Sequence, residues 1–319
     1  MTLTPPIRSV GGLSALRLTW LDAARLLTLL AVIVCGVLTP GFLTSVSLLS
    51  VLTAASFVGC VAIGMTFITL GGNVMSFSLG ATLSAATVVF TASLPLGLPV
   101  AALAALVFSG AFTAGQGWVV GYFGANPIIV SLAALSGLSG LATWITGGHG
   151  VYPTAHAGDV LRGMVAHLPI PVIVCVVLGV LGQLIVLRTA FGRRLIMVGS
   201  NRRAAEIVGA FPVSTTVIAY LLAGLATGVA AILISARYRS GDLQLGDGYD
   251  YSAISALLVG GNAIQGGAGS PLRALAGALG IATVQALLVL WGLSTQLQFL
   301  VVGIAVLLAI VLQAAGERS

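Results

Sequence analysis

The sequence predicts an all-α fold: a polytopic helical membrane protein of about ten transmembrane segments, with broken or short helices near two Gly-Gly-Asn repeats. Three observations carry that expectation. The 319 residues are 58% hydrophobic and 6% charged, with a mean hydropathy of +1.14, whereas a soluble domain is about 25% charged. Apolar runs near the roughly 20 residues a membrane helix needs recur along the whole chain. The 42 glycines suit membrane helices, whose backbones approach closely where side chains are small.

The predicted segments are 23–39, 48–70, 76–94, 98–120, 127–146, 169–187, 215–236, 251–262, 271–291 and 297–313. Residues 1–22 form a cytosolic leader, and 23–319 form one transmembrane domain. The leader carries Arg8 and Arg17, with Arg25 close behind, and shows no small-residue cleavage site, so the first segment reads as a retained helix. The longest connections are 147–168, 188–214 and 237–250. Trp20 and Trp144 lie near segment ends, where they anchor to the interface.

Sidedness follows from the arginines. With the N-terminus in the cytosol and ten crossings, the cytosolic side holds Arg8, Arg17, Arg25, Arg188, Arg193, Arg194, Arg202, Arg203, Arg273 and Arg318. The outer side holds Arg162, Arg237 and Arg239. This is a positive-inside bias, and both termini are cytosolic. Asp159, Asp242, Asp247 and Asp250 are expected outside. The eighth segment, Tyr251–Asn262, is too short to cross about 30 Å of hydrocarbon as a regular helix. It is continued by 263–269, or is broken or re-entrant, and in the non-crossing case the last two segments flip.

An internal echo accompanies it. Gly71-Gly72-Asn73 follows Leu70, and Gly260-Gly261-Asn262 follows Val259. Glycine-interrupted apolar segments in two halves point to a translocation site, because unwound backbone is tolerated only where it meets protein or a wet cavity. Chance similarity in a glycine-rich chain is the alternative.

The run Arg188–Ser214 holds five of the thirteen arginines. Asn201 can cap a short helix that Gly209 ends, with Glu206 in its second turn. Two turns are too short to be stable alone. The run is either an ordinary arginine-rich loop or a helix that needs a docking surface.

Several chemistries are excluded or weakened. The chain has no lysine, so it has neither a Walker A motif nor Schiff-base chemistry. Cys35, Cys60 and Cys175 lie in apolar segments without metal-ligand spacing. Gly137-Leu138-Ser139-Gly140 matches the pattern of an intramembrane serine protease. That chemistry needs a histidine base beside the serine, and His149, His156 and His167 fall in or beside an outer connection.

The stretch Phe191–Ser214 resembles the cytosolic loop of ribose-type ABC importer permeases, through Phe191, Gly192, Arg193, Gly199, Asn201, Ala204, Ala205, Gly209 and Val213. Gly248–Gly280 is similar to that family's second glycine-rich signature, through Gly260, Gly261, Gly266, Gly267, Gly269, Ser270 and Gly277. Asn126–Leu132 with Thr146-Gly147-Gly148, and Gly64-Met65-Thr66 with Gly71-Gly72, resemble two further stretches. Val74 stands where the family commonly carries an aspartate.

The resemblance implies a permease subunit in a bacterial inner membrane that moves a small hydrophilic solute, a sugar by analogy. It implies a second permease subunit, identical or paralogous, a solute-binding protein outside, and cytosolic ABC ATPase subunits. ATP-Mg would sit on those partners, with no cofactor bound by this chain. Gly199, Asn201, Arg202, Arg203, Ala204, Ala205, Glu206 and Gly209 would couple to the ATPase. Gly71, Gly72, Asn73, Ser76, Asn126, Gly260, Gly261, Asn262 and Gln265 would line the path, although each polar member could equally serve helix packing. Arg188, Arg193 and Arg194 are left as topology anchors. A secondary transporter or channel without an ATPase is the alternative reading, and an intramembrane enzyme using Ser139 is the third.

Overall fold

The computed structural model describes residues 36, 39–153, 156–165, 167–294, 296–298, 300–304 and 307. The leader with Arg8, Arg17 and Trp20, most of the first expected segment with Arg25, much of the last one and Arg318 lie outside the described residues.

Among the described residues, ten α-helices make up the main body. They are α1 (Ser45–Leu70), α2 (Leu79–Ser93), α3 (Leu98–Phe123), α4 (Pro127–Thr146) and α5 (Ile170–Arg188). Next come α6 (Ala190–Ser200), α7 (Arg202–Ile207), α8 (Pro212–Tyr238), α9 (Tyr249–Val259) and α10 (Pro271–Leu290). A 3-10 turn, Leu94–Leu96, extends α2. Seven of these helices, counting Leu79–Leu96 as one, are long and apolar enough to cross a membrane. At 1.5 Å per residue the 26-residue α1 is about 39 Å long, more than the hydrocarbon core requires.

Local chemistry sets the helix ends. The Thr44 hydroxyl accepts from Ser47 N to cap α1, and Asn126 accepts from Ile128 N to cap α4. Prolines occupy the first turn of α3, α4, α5, α8 and α10, where no intrahelical N–H is needed. The core lies where α1, α2, α8 and α9 meet, around Ile63, Met65, Leu79, Leu83, Ile234 and Leu257. α3 packs along α8 through small residues. A Cβ on Gly224 would collide with Thr113 and Ser109, so the two backbones touch there.

The helices alternate between two ends. One end holds Arg188, Arg193, Arg194, Arg202 and Arg203, on α5 to α7. At the opposite end, the start of α1 (Val46, Leu49), the start of α5 (Pro171), Arg162 and Arg237 surround one hollow. A short hairpin, β1 (Met164–Val165) with β2 (Leu168–Pro169), and a bridge from Val151 to Gly241 decorate that end.

The eighth crossing is made in two parts. α8 ends at the opposite end, and α10 begins near Gly182 and runs back to Trp291, whose indole N–H donates to the Thr39 hydroxyl at 3.0 Å. Residues 239–270 must therefore traverse the bundle. Residues 241–248 descend as irregular chain beside α2, and α9 completes the passage. Hydroxyls of α2 satisfy the descending backbone. Gly246 N donates to Ser84 Oγ at 2.8 Å, and Asp242 N to Thr87 Oγ1 at 3.3 Å. Irregular chain inside a membrane protein requires such partners.

This corrects one expectation. Asp250 does not lie in an outer connection: it is 7% exposed, and its carboxylate accepts from Gly80 N at 2.7 Å. The signal missed was the hydroxyl stripe on α2, at Ser84, Thr87 and Thr91.

Candidate functional site

The arginine-rich end collects most of the residues singled out from sequence. There α6, an amphipathic helix not expected from sequence, joins α5 to α7. Thr189 caps it by accepting from Gly192 N, and Leu195 and Val198 face inward. Asn201 ends α6 and starts α7, its side chain accepting from Ala204 N at 3.0 Å. Gly209 has φ +78°, and Ala210 N donates back to Ala205 O at 2.9 Å, so the expected glycine stop is present. Ala205 is buried against Val198 and Ala210. Asn201, Arg203, Ala204, Glu206 and Gly209 are exposed.

Arg202 is exposed as well, with one end of its guanidinium fastened to α3. Its Nη2 donates to Gly121 O at 3.1 Å, in the last turn of α3. That carbonyl has no partner further along the helix, and the negative end of the helix dipole favours a cation there. Its 3.6 Å pair with Glu206 is solvent-exposed and contributes about 0.5 kcal/mol at most. Beside α7, Ile207, Val208 and Phe211 are 87%, 69% and 67% exposed, an apolar surface at an otherwise polar end.

The two Gly-Gly-Asn sequences form the same turn. Gly71 N, Gly72 N and Asn73 N donate to Phe67 O, Thr69 O and Ile68 O; Gly260 N, Gly261 N and Asn262 N donate to Ala256 O, Leu258 O and Leu257 O. Gly72 and Gly261 have φ +76° and +75°. Each turn closes a helix, α1 or α9, at the arginine-rich end. Gly199, at the end of α6, seats against Leu70 O with no room for a side chain, and Gly266 lies against Gly72. Gly267 N donates to Leu70 O at 3.2 Å. The glycines expected in the path and the end of α6 thus share one backbone junction.

A cavity of about 390 Å³ opens beside this junction, lined by Gly72, Asn73, Val74, Val120, Asn126 and Arg202 among others. Of the expected path residues, Gly72, Asn73 and Asn126 face it. Gly71 is buried at the end of α1, and Ser76 is buried further up, 3.1 Å from the Ser78 hydroxyl. Gly260, Gly261, Asn262 and Gln265 are not brought to it. Gly260 packs on the backbone of Arg273. Asn262 is consumed in the loop, accepting from Ser270 N at 2.6 Å and donating to Leu257 O at 3.2 Å. Gln265 is exposed. Val74, at the position where an aspartate is common, reaches the cavity and is 40% exposed. The larger hollow, about 470 Å³, lies at the opposite end, away from these residues.

Ser139 is exposed on α4, and His149 lies beyond the end of that helix. Among the described residues no three His, Cys, Asp or Glu side chains cluster as metal ligands.

Comparison with known proteins identifies the family. The chain is 31% identical to the ribose import permease protein of Bacillus subtilis (strain 168) over 286 residues, covering 88% of each chain. It is 29% identical to the L-arabinose transport system permease protein of Escherichia coli (strain K12), covering 90% of this chain and 88% of the relative. It is also 29% identical to the autoinducer 2 import system permease protein of Yersinia enterocolitica, covering 80% and 79%. No solved structure matches the chain. Residues 47–311 match the family described as branched-chain amino acid transport system / permease component. With its apolar spans, its paired Gly-Gly-Asn turns and the capped helix between α6 and α8, this chain belongs to that family, as a multi-pass membrane permease component.

Proposed function

We propose that the chain is the transmembrane subunit of an ATP-driven ABC importer for a small, hydroxyl-rich solute, a sugar or close relative, in a bacterial plasma membrane. The arginine-rich end, and with it both termini, faces the cytosol. A solute-binding protein delivers the solute to the opposite end. The family description names amino acids, but the relatives named above import ribose, arabinose and autoinducer 2. The neutral amides of Asn73 and Asn126 line the cavity and suit the second class, and the guanidinium of Arg202, which also lines it, is engaged by Gly121 O.

ATP-Mg is held and hydrolysed by separate cytosolic subunits, and a second permease subunit completes the path. One observation carries this reading: α7, capped by Asn201, stands beside the exposed Ile207, Val208 and Phe211 while Arg202 fastens it to the last turn of α3. The exposed side would seat in the ATPase, and Arg202 would pass the movement to α3 and the cavity. Arg203, Ala204, Glu206 and Gly209 shape the seated surface, and Gly199 carries the displacement to α1.

Copurification with the ATPase from native membranes tests this. Ile207→Asp with Arg203→Glu is expected to abolish it while the permease still inserts. Uptake by the purified chain alone, in liposomes without ATP, would replace the importer reading with a secondary transporter or channel.

A further inference from the structure

Among the described residues, three buried side-chain polar atoms have no hydrogen-bond partner: Asn73 Nδ2, Gln116 Nε2 and the Tyr220 hydroxyl. They lie close together in the fold. Gln116 and Val120 share one face of α3, a turn apart, and Val120 and Asn73 line the 390 Å³ cavity. Tyr220 packs on Gly117, the residue after Gln116. The oxygen of Gln116 accepts from Ser78 Oγ at 2.7 Å, and Ser78 meets Ser76 at 3.1 Å. The chain 73–78 thus leads from the cavity up to the first turn of α2, with an open amide donor at each end of the track. Open donors are rare in protein interiors and costlier still at membrane depth.

Two residues past Ser78, the start of α2 meets the start of α9. Asp250, in the first turn of α9, accepts from Gly80 N. Each helix N-terminus carries about half a positive charge. Two of them, converging inside the bundle, would attract an anion. The Asp250 carboxylate, when ionised, balances them and brings the locus close to electrical neutrality.

We propose that Gln116 is a specificity-determining residue of the translocation path, and that this locus passes an uncharged polyhydroxyl solute while disfavouring an anionic one. Gln116 Nε2 and Asn73 Nδ2 donate to solute hydroxyls as the solute moves along 73–78. Asp250 removes the positive surplus that would hold a carboxylate or phosphate. The inference rests on the transport reading above, and it assigns no role to the ATPase.

The test is thiol labelling of the full chain in native membrane vesicles, with and without ATP. The reagents are a cationic trimethylammonium and an anionic sulfonate methanethiosulfonate. Gln116→Cys is expected to react with both, above the wild-type background of Cys35, Cys60 and Cys175. Adding Asp250→Asn keeps a group that can accept from Gly80 N and is expected to raise the anionic-to-cationic rate ratio roughly tenfold. A folded Gln116→Cys chain that resists both reagents in every state makes Gln116 a packing residue and overturns the proposal. An unchanged ratio overturns its charge element. If Gln116→Cys does not fold, Asn73→Cys carries the same comparison. ATPase copurification from the same vesicles separates the readings: labelling without the ATPase sinks the importer and leaves this locus standing, and an ATPase-bound but unreactive chain does the reverse.

Discussion

Gly71-Gly72-Asn73 and Gly260-Gly261-Asn262 have the same backbone and opposite uses. The hydrogen-bond pattern repeats donor for donor, and the left-handed glycines agree within a degree. Yet Asn262 is 1% exposed and spends its amide on the loop to α10, while Asn73, at the edge of a cavity, keeps a buried Nδ2 without a partner. The local code therefore fixes a helix end and nothing more. The chain beyond each turn decides its use: a surface loop after the second, an extended run into the bundle after the first.

The largest effect should come from exchanging the asparagines for an apolar residue. Asn262→Leu removes two buried hydrogen bonds and strands Ser270 N, and should destabilise the detergent-solubilised chain by about 3 kcal/mol. Asn73→Leu breaks no bond of the open amide and should change stability by less than about 1 kcal/mol, yet abolish uptake in vesicles. Equal losses of stability would break the comparison. Next in size are the left-handed glycines. Both Gly72→Ala and Gly261→Ala place a side chain at positive φ, for about 1 kcal/mol each. Gly72→Ala also presses a Cβ to 2.9 Å from the Gly199 backbone, so its melting temperature should fall further than that of Gly261→Ala. Arg202→Ala removes one bond to Gly121 O and should cost about 1 kcal/mol. Its expected signature is ATP hydrolysis without matching uptake, which would place coupling at the first turn and not the second.

The smallest effect serves as a control at the opposite end. Burial alone would raise the Asp159 carboxyl, but the two bonds from Arg239, at 2.8 and 3.0 Å, and the nearby Arg162 outweigh it and hold the group below its ordinary value. A depressed carboxylate stabilises the fold above its unfolded pKa and loses that contribution as the pH falls through the folded one. The loop 156–162 should therefore keep its protease resistance at neutral pH and lose it only below about pH 4, with both Gly-Gly-Asn turns unaffected.

Much of the fold was legible because it is written locally. Apolar length located the described spans, and Asn201 and Gly209 announced helix ends through a side chain and a missing Cβ. The repeated turn was visible for the same reason. The descent of 241–248 was not, because a glycine- and aspartate-rich stretch reads as surface chain until hydroxyls 155 and more residues away are brought beside it. Asp250 was misplaced with it. Helix α6 was hidden because its arginines read as anchors, while only Gly192, Leu195 and Val198 on it are fully buried. Gln116 stood in plain view as a lone amide in an apolar span, and only its bond to Ser78 shows what holds its oxygen.

The dependence of residues 241–248 on α2 also has a consequence for biogenesis. Tyr249–Val259 is too short to be retained by a bilayer as a span, and in the chain before it Asp242 N and Gly246 N find partners only in Thr87 and Ser84 of α2. That crossing cannot be laid down as it leaves the ribosome. Its settled form depends on contact with the much earlier α2, so the eighth passage should close only after that helix is in reach.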